Sequence, residues 1–305
     1  MKIRRLILFL ILIGLLLLLS AAVWCSRDKQ ETHRIIPPKI TLYISGNDQR
    51  VSLTMEEYIT GTVAAEMPAS FENEALKAQA VCARTYALNR MVNGRKYEQN
   101  SDLSDDITCC QAYVSDREFS QRHPYNTEEY LQKIQQAVKE TQGQVMLYKG
   151  EPLDALYCST CGGRTEDGGD KQPYLRGIVC PYCKSSPRYT TTQTFSDRQL
   201  DSLLGLPGRD IGITVTKASG SGRIQQIKIN DKTMTGEQLR NALGLPSTWC
   251  SFQFKGNTLT VTSRGYGHGI GLCQFGANGM ARQGYNYRQI LHHYYQNFEL
   301  CQLQY

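Results

Sequence analysis

One stretch constrains this chain more than any other: Ala64 to Leu88, AAEMPASFENEALKAQAVCARTYAL. Pro68 pushes Met67 into extended backbone, so a helix arriving from the N-terminal side has to stop there. Beyond the bend, Ala75, Ala78, Ala80, Ala83 and Ala87 accompany Leu76, Val81 and Leu88. Their spacing predicts a helix from about Phe71 to Val92 with one buried stripe. Small side chains let such a helix pack tightly. Glu66 stands at the bend, and a carboxylate at the mouth of a dry helix is harder to ionise, as a general acid near neutral pH requires. A Glu before a turn can equally be a solvated cap, and the pattern alone leaves both readings open.

Ahead of this stretch, Leu6 to Trp24 is a run of 19 residues without a charge, preceded by Lys2, Arg4 and Arg5. That length crosses a bilayer as a helix, and the basic flank keeps the N-terminus in the cytoplasm with the bulk of the chain outside. A cleaved signal peptide is the rival. Val23-Trp24-Cys25 offers no small-x-small cleavage site, so an uncleaved single-pass anchor is the better reading, and the expected location is the cell membrane. Residues 1–26 then form the cytoplasmic tip and anchor, 27–38 a polar linker ending in Pro37-Pro38, and 39–305 one extracytoplasmic catalytic domain with a Cys-rich insertion at about 155–190. The net charge is +6 and three of those charges precede the anchor. The mild remainder does not argue for nucleic acid.

The domain reads as α+β, a mixed helical and β-rich core with a substrate groove. Strands are expected at Ile40–Ile44 and Gln49–Leu53, and Thr54 caps a helix through Ala65. A short strand is expected over Ile107–Val114, a helix over Thr127–Gln142, and a hairpin about Lys149-Gly150. Short strands recur from Ile213, with helices near Asp197–Leu204 and Gly236–Leu243. Two helical pieces fill Gln274–Phe298.

The chain has 11 cysteines. Cys158, Cys161, Cys180 and Cys183 make C-x2-C-x18-C-x2-C, a spacing that suits a closed, structural zinc site. Disulfides are the alternative in an oxidising compartment. Cys109-Cys110 is an adjacent pair that reads as small buried hydrophobes, with a second metal as the alternative. Near the C-terminus, Ser263 to Ala277 reads SRGYGHGIGLCQFGA. In extended backbone its alternating glycines would share one bare face, open to a ligand or another backbone. No Lys-Ser/Thr follows, so this is not a phosphate cradle.

Two blocks carry a resemblance. Glu66-Met67-Pro68-Ala69-Ser70-Phe71, then Glu74 to Val81 and Ala83-Arg84-Thr85-Tyr86, resembles the core motif of the stage II sporulation protein D / amidase-enhancer (LytB) family. Gly265-Tyr266-Gly267-His268-Gly269-Ile270-Gly271, Gln274, Gly276-Ala277 and Ile290 to Tyr295 are similar to its second block. Cys82 replaces a residue that is usually small, and the zinc-like cysteines are this chain's own variation. The resemblance implies a peptidoglycan lytic transglycosylase that cuts the bond between N-acetylmuramic acid and N-acetylglucosamine during engulfment in sporulation. Glu66 would be its single catalytic acid/base. It implies substrate contacts from Lys77, Gln79, Arg84, Tyr86, Tyr266, His268 and Gln274, with no cofactor needed for the chemistry. Its implied partners are glycan strands, a cell-wall amidase and a membrane recruiting protein. A non-catalytic, glycan-binding amidase enhancer is the second hypothesis. A zinc hydrolase on the Cys158 cluster ranks below both, because four protein ligands close the metal and no HExxH is present.

Overall fold

The computed structural model describes residues 32–35 (backbone only), 39–205 and 211–304. The expected anchor, Leu6–Trp24, lies outside the described residues. Among those described, no helix is long and apolar enough to cross a membrane.

In chain order the elements are β1 (Thr32–Ile35), β2 (Ile40–Ile44), β3 (Gln49–Leu53), α1 (Met55–Glu66), α2 (Asn73–Val92), β4 (Leu103–Ser104), α3 (Asp116–Arg122) and α4 (Thr127–Glu140). Then come β5 (Gln144–Tyr148), β6 (Glu151–Pro152), β7 (Tyr157–Cys158), β8 (Thr190–Ser196), α5 (Asp197–Leu204), β9 (Ile213–Ala218), β10 (Ile224–Ile229), β11 (Lys232–Thr235) and α6 (Gly236–Leu243). The chain closes with β12 (Cys250–Lys255), β13 (Thr258–Arg264), β14 (Leu272–Cys273), α7 (Gln274–Arg282), α8 (Tyr287–Tyr294) and β15 (Glu299–Gln304). This is a mixed α+β protein, as the sequence implies.

The centre is α2. It is buried on nearly every face from Ala75 to Asn89, not along one stripe, because its alanines leave room for α1, α4, α7, α8 and β5 to close around it. Arg84 is carried inside with it, fully buried, and its guanidinium meets the Glu56 carboxylate of α1 at 2.6 Å. Thr54 caps α1 through a capping box with Glu57, satisfying N–H groups that the helix leaves free. At the other end Met67 is extended (φ −122°, ψ 141°), as the following proline demands.

Around this core, β1, β15, β5 and β6 form one sheet, and β3, β2 and β4 another. A second hydrophobic core, from Phe195 to Val261, is built from the sheets β12-β13-β8 and β11-β10-β9 with α5 and α6. The expected strand over Ile107–Val114 is absent. Residues 107–115 are turn and loop, held by the Val114 N–H on the Gly61 carbonyl, the Ala112 N–H on Glu66 and the Gln111 side chain, and the strand nearby is β4.

The glycine run also departs from expectation. Gly265, Gly267, Gly269 and Gly271 all have positive φ, between 73° and 100°, so the segment is coiled and not extended. The space the glycines vacate is filled by protein. A Cβ at Gly271 would lie 1.8 Å from the Leu156 carbonyl oxygen, and one at Gly269 would lie 2.1 Å from Arg223 Nη2. Close approach of backbone at Gly265 and Gly271, and of the Cys158 and Arg223 side chains at Gly267 and Gly269, accounts for these glycines.

Candidate active site

The bend after α1 and the coil before β14 are the two walls of a groove of about 460 Å³. Glu66, Gln111, Ala112 and Tyr157 lie along it with Tyr86, Cys110, Cys158, Tyr266, His268 and Gln274. Among the described residues that line it, Glu66 is the one carboxylate.

Glu66 is half-buried. Its Oε1 accepts the Ala112 N–H at 2.8 Å, and its Oε2 lies 3.4 Å from Gln274 Nε2. The Tyr157 hydroxyl adjoins the same carboxylate. Burial pushes the carboxyl above its ordinary value, while the Ala112 N–H and the Gln274 amide favour the charged form and hold the rise back. The side chain is therefore fixed in direction and reluctant to ionise.

The residues behind it form a hydrogen-bonded chain. Gln111, buried, donates to the Tyr58 hydroxyl at 3.0 Å and to the Ala83 carbonyl at 3.1 Å. The Tyr157 hydroxyl donates to Gln111 Oε1 at 2.8 Å. This chain sets the loop that presents the Ala112 N–H. Gln111, Ala112 and Tyr157 escaped the sequence reading. The signal was a glutamine interrupting the apolar run ITCCQAYV, a polar side chain that must find buried partners.

His268 has both ring nitrogens engaged. Nδ1 accepts the Ile270 N–H at 3.0 Å, so the neutral ring carries its proton on Nε2, which faces the Tyr157 carbonyl. The residue is exposed to the groove on one side and crowded by protein on the other. The crowding, joined by the charges of Arg240 and Arg223, draws its pKa down to about 4. His268 is therefore neutral at neutral pH.

The expected substrate contacts divide. Tyr86, Tyr266, His268 and Gln274 line the groove. Gln79 is fully buried behind it, its Oε1 3.5 Å from Gln274 Nε2. Lys77 and Arg84 lie elsewhere: Lys77 is clamped by Glu74 and Glu140, each at 2.6 Å, and Arg84 by Glu56. Arg84 serves the helix core, where a buried cation must find a carboxylate, and Lys77 belongs to a partly exposed ion cluster at the edge of α2. Tyr266, with the Arg188 guanidinium 5.0 Å from its ring, also lines a second hollow of about 470 Å³ that includes Arg240 and Gln193.

The cysteines regroup as well. Cys161, Cys180, Cys183 and Cys273 have their sulfurs within 4.8 Å of one another, all buried. Cys158 is not in this set. It belongs to β7, paired with Cys273 of β14, and lines the groove. A fourth thiol at Cys273, far along the chain from the C-x2-C pairs, was not foreseeable from spacing. Cys109 and Cys110 stand apart from the cluster.

Fold and site together define an α+β protein built on a single-carboxylate groove between a helix bend and a glycine coil. A family model described as Stage II sporulation protein matches residues 45–148. Stage II sporulation protein D of Bacillus subtilis (strain 168) is 37% identical over 279 residues, covering 89% of this chain and 81% of that protein. Its counterpart in Bacillus amyloliquefaciens is 34% identical over 284 residues, covering 91% and 83%. The amidase enhancer of Bacillus subtilis (strain 168) is 25% identical over 300 residues, covering 78% of this chain and 39% of that protein. The chain belongs to the stage II sporulation protein D family.

Proposed function

We propose that this chain is a peptidoglycan lytic transglycosylase of sporulation, held at the membrane by Leu6–Trp24 and acting outside it. The observation that carries the reading is the solitary Glu66: half-buried, oriented, raised in pKa, and without a second carboxylate among the described groove residues. Ordinary glycosidases need two carboxyl groups. One suffices when the nucleophile belongs to the substrate.

The protonated Glu66 gives its proton to the glycosidic oxygen as the bond from C1 of N-acetylmuramic acid to that oxygen breaks. The sugar's own 6-hydroxyl then bonds to C1, and its proton passes to the Glu66 carboxylate, restoring the acid. The product is a 1,6-anhydro ring, and no water is consumed. Tethering makes the 6-hydroxyl effectively very concentrated, which replaces the second residue. The Ala112 N–H and Gln274 amide steady the carboxylate form between the two transfers. Tyr266, shared by two adjoining hollows, offers a stacking surface for an extended strand. His268 acts as a positioning residue through the Tyr157 backbone. A cell-wall amidase that strips stem peptides and a membrane protein that recruits both are the partners this reading implies.

The test is incubation of the full-length chain with peptide-free glycan strands. Anhydromuramyl ends should appear with the wild type and vanish with Glu66→Gln. The 25% identity to an amidase enhancer favours a second reading, a glycan-holding accessory protein. It predicts that both proteins bind strands and neither cuts them.

A further inference from the structure

Outside the groove, the four sulfurs of Cys161, Cys180, Cys183 and Cys273 make a separate centre. Cys161 Sγ and Cys183 Sγ are 3.6 Å apart. A zinc ion with sulfurs at about 2.3 Å in a tetrahedron separates them by about 3.8 Å, so the cluster has the size of one ion. The surroundings are those of a thiolate site. Cys273 Sγ accepts two backbone N–H groups, from Cys161 at 3.2 Å and from Gly276 at 3.3 Å, and the Tyr294 hydroxyl lies 3.2 Å from Cys180 Sγ.

Two further features are built to the same end. A Cβ at Gly276 would fall 2.6 Å from Cys180 Sγ, so only glycine lets α7 press on the Cys180–Cys183 turn. Arg223 is buried, and its Nη2 donates to the Cys161 carbonyl at 2.7 Å. Four thiolates around a dication carry net negative charge, and a buried guanidinium one bond beyond the ligands offsets it.

We infer that Cys161, Cys180, Cys183 and Cys273 bind one structural zinc ion that ties the 161–183 segment to the start of α7. The ion replaces the thiol protons, its shell is closed by four protein ligands, and no bond of a substrate is touched. Its consequence for the groove is mechanical. Cys273 immediately precedes Gln274, so the metal fixes the register at which that amide meets Glu66. The inference stands apart from the glycan reading, since metal content and ligand set are read without any cleavage assay.

The experiment is metal analysis and X-ray absorption on the full-length chain, purified without chelator and without oxidant. About one zinc per chain is expected, with a shell of four sulfurs at about 2.3 Å. Cys273→Ser should lose the zinc or its tightness, and Cys158→Ser should retain one zinc per chain. Should Cys273→Ser fail to fold, the sulfur count on the wild type and the Cys158→Ser variant still decide. Metal removal should lower the melting temperature by on the order of 10 °C. Disulfides mapped among the four cysteines, a shell with nitrogen or oxygen ligands, iron in place of zinc, or loss of the metal in Cys158→Ser would each overturn the assignment.

Discussion

The two walls of the groove are built in opposite ways. Residues 54–92 make their own shape: a capping box starts α1, Pro68 stops it, and alanines permit the close packing of α2. Residues 265–271 have no such autonomy. Their positive φ angles are imposed by what lies against them: the Thr160 and Leu156 carbonyls, Cys158 and Arg223. One wall is dictated by short-range backbone chemistry, and the other is a cast of segments up to about a hundred residues away in the chain. The first wall should therefore fail by losing a charge or a cap, and the second by gaining an atom.

The largest effect belongs to the first wall. Glu66→Gln should lower cleavage of peptide-free strands by roughly 10⁴-fold, about 5 to 6 kcal/mol of barrier, since one group serves as acid and base. Stability should behave differently. The folded state raises the Glu66 pKa, so it binds the proton more tightly than the unfolded chain does. The stability this contributes is full below the ordinary carboxylate value and is lost as pH rises through the raised one. A neutral glutamine escapes that loss. Melting curves at neutral pH should find the variant no less stable than wild type, and a clear drop would mean that Glu66 is a structural residue.

Next in size is the ion pair inside the first wall. Glu56→Ala leaves the fully buried Arg84 guanidinium without its 2.6 Å partner. Denaturant unfolding should show a loss of about 3 to 5 kcal/mol. A loss below about 1 kcal/mol would say that α1 and α2 are held by packing alone.

For the second wall, glycine is the variable. Gly271→Ala places a Cβ 1.8 Å from the Leu156 oxygen at φ 73°, and nothing soft can yield because the neighbour is backbone. About 3 kcal/mol or more should be lost. Gly284→Ala is the control: φ is 88° but no atom lies within 4 Å, so conformational strain of about 1 kcal/mol is the whole cost. Equal costs at the two positions would remove the distinction between a cast wall and an ordinary turn.

The same distinction explains what could be read from the sequence. The strands Ile40–Ile44 and Gln49–Leu53 and the helices Asp197–Leu204 and Gly236–Leu243 follow from caps, turns and periodicity, and the structure has them at those residues. Glu66 was legible because a proline marks the bend. The coiled glycine run was not, since alternation in sequence reads as extended backbone until the packing partners are known. Nor was the loop at Gln111, whose apolar neighbours have strand propensity but whose glutamine is claimed by Tyr58, Ala83 and Tyr157. Lys77 and Arg84 share a motif with Glu66 by sequence, yet they stand on α2 beyond the bend and are claimed by Glu74, Glu140 and Glu56. Cys273 joins the other thiols only because β14 lies beside β7.

The smallest effect joins the two walls. Gln274 belongs to the glycine side by sequence and reaches Glu66 of the helix side at 3.4 Å. Its amide stabilises the carboxylate, so it opposes the rise that burial imposes. Gln274→Met keeps much of the volume and removes the donor, and the Glu66 pKa should then rise further. Cleavage begins from the protonated acid, so the alkaline limb of the pH–rate profile should move to higher pH, with the maximal rate reduced because the carboxylate intermediate loses a support. An alkaline limb that moves to lower pH would show that the amide had been holding the proton on and not helping it leave, and the two walls would then meet only through packing.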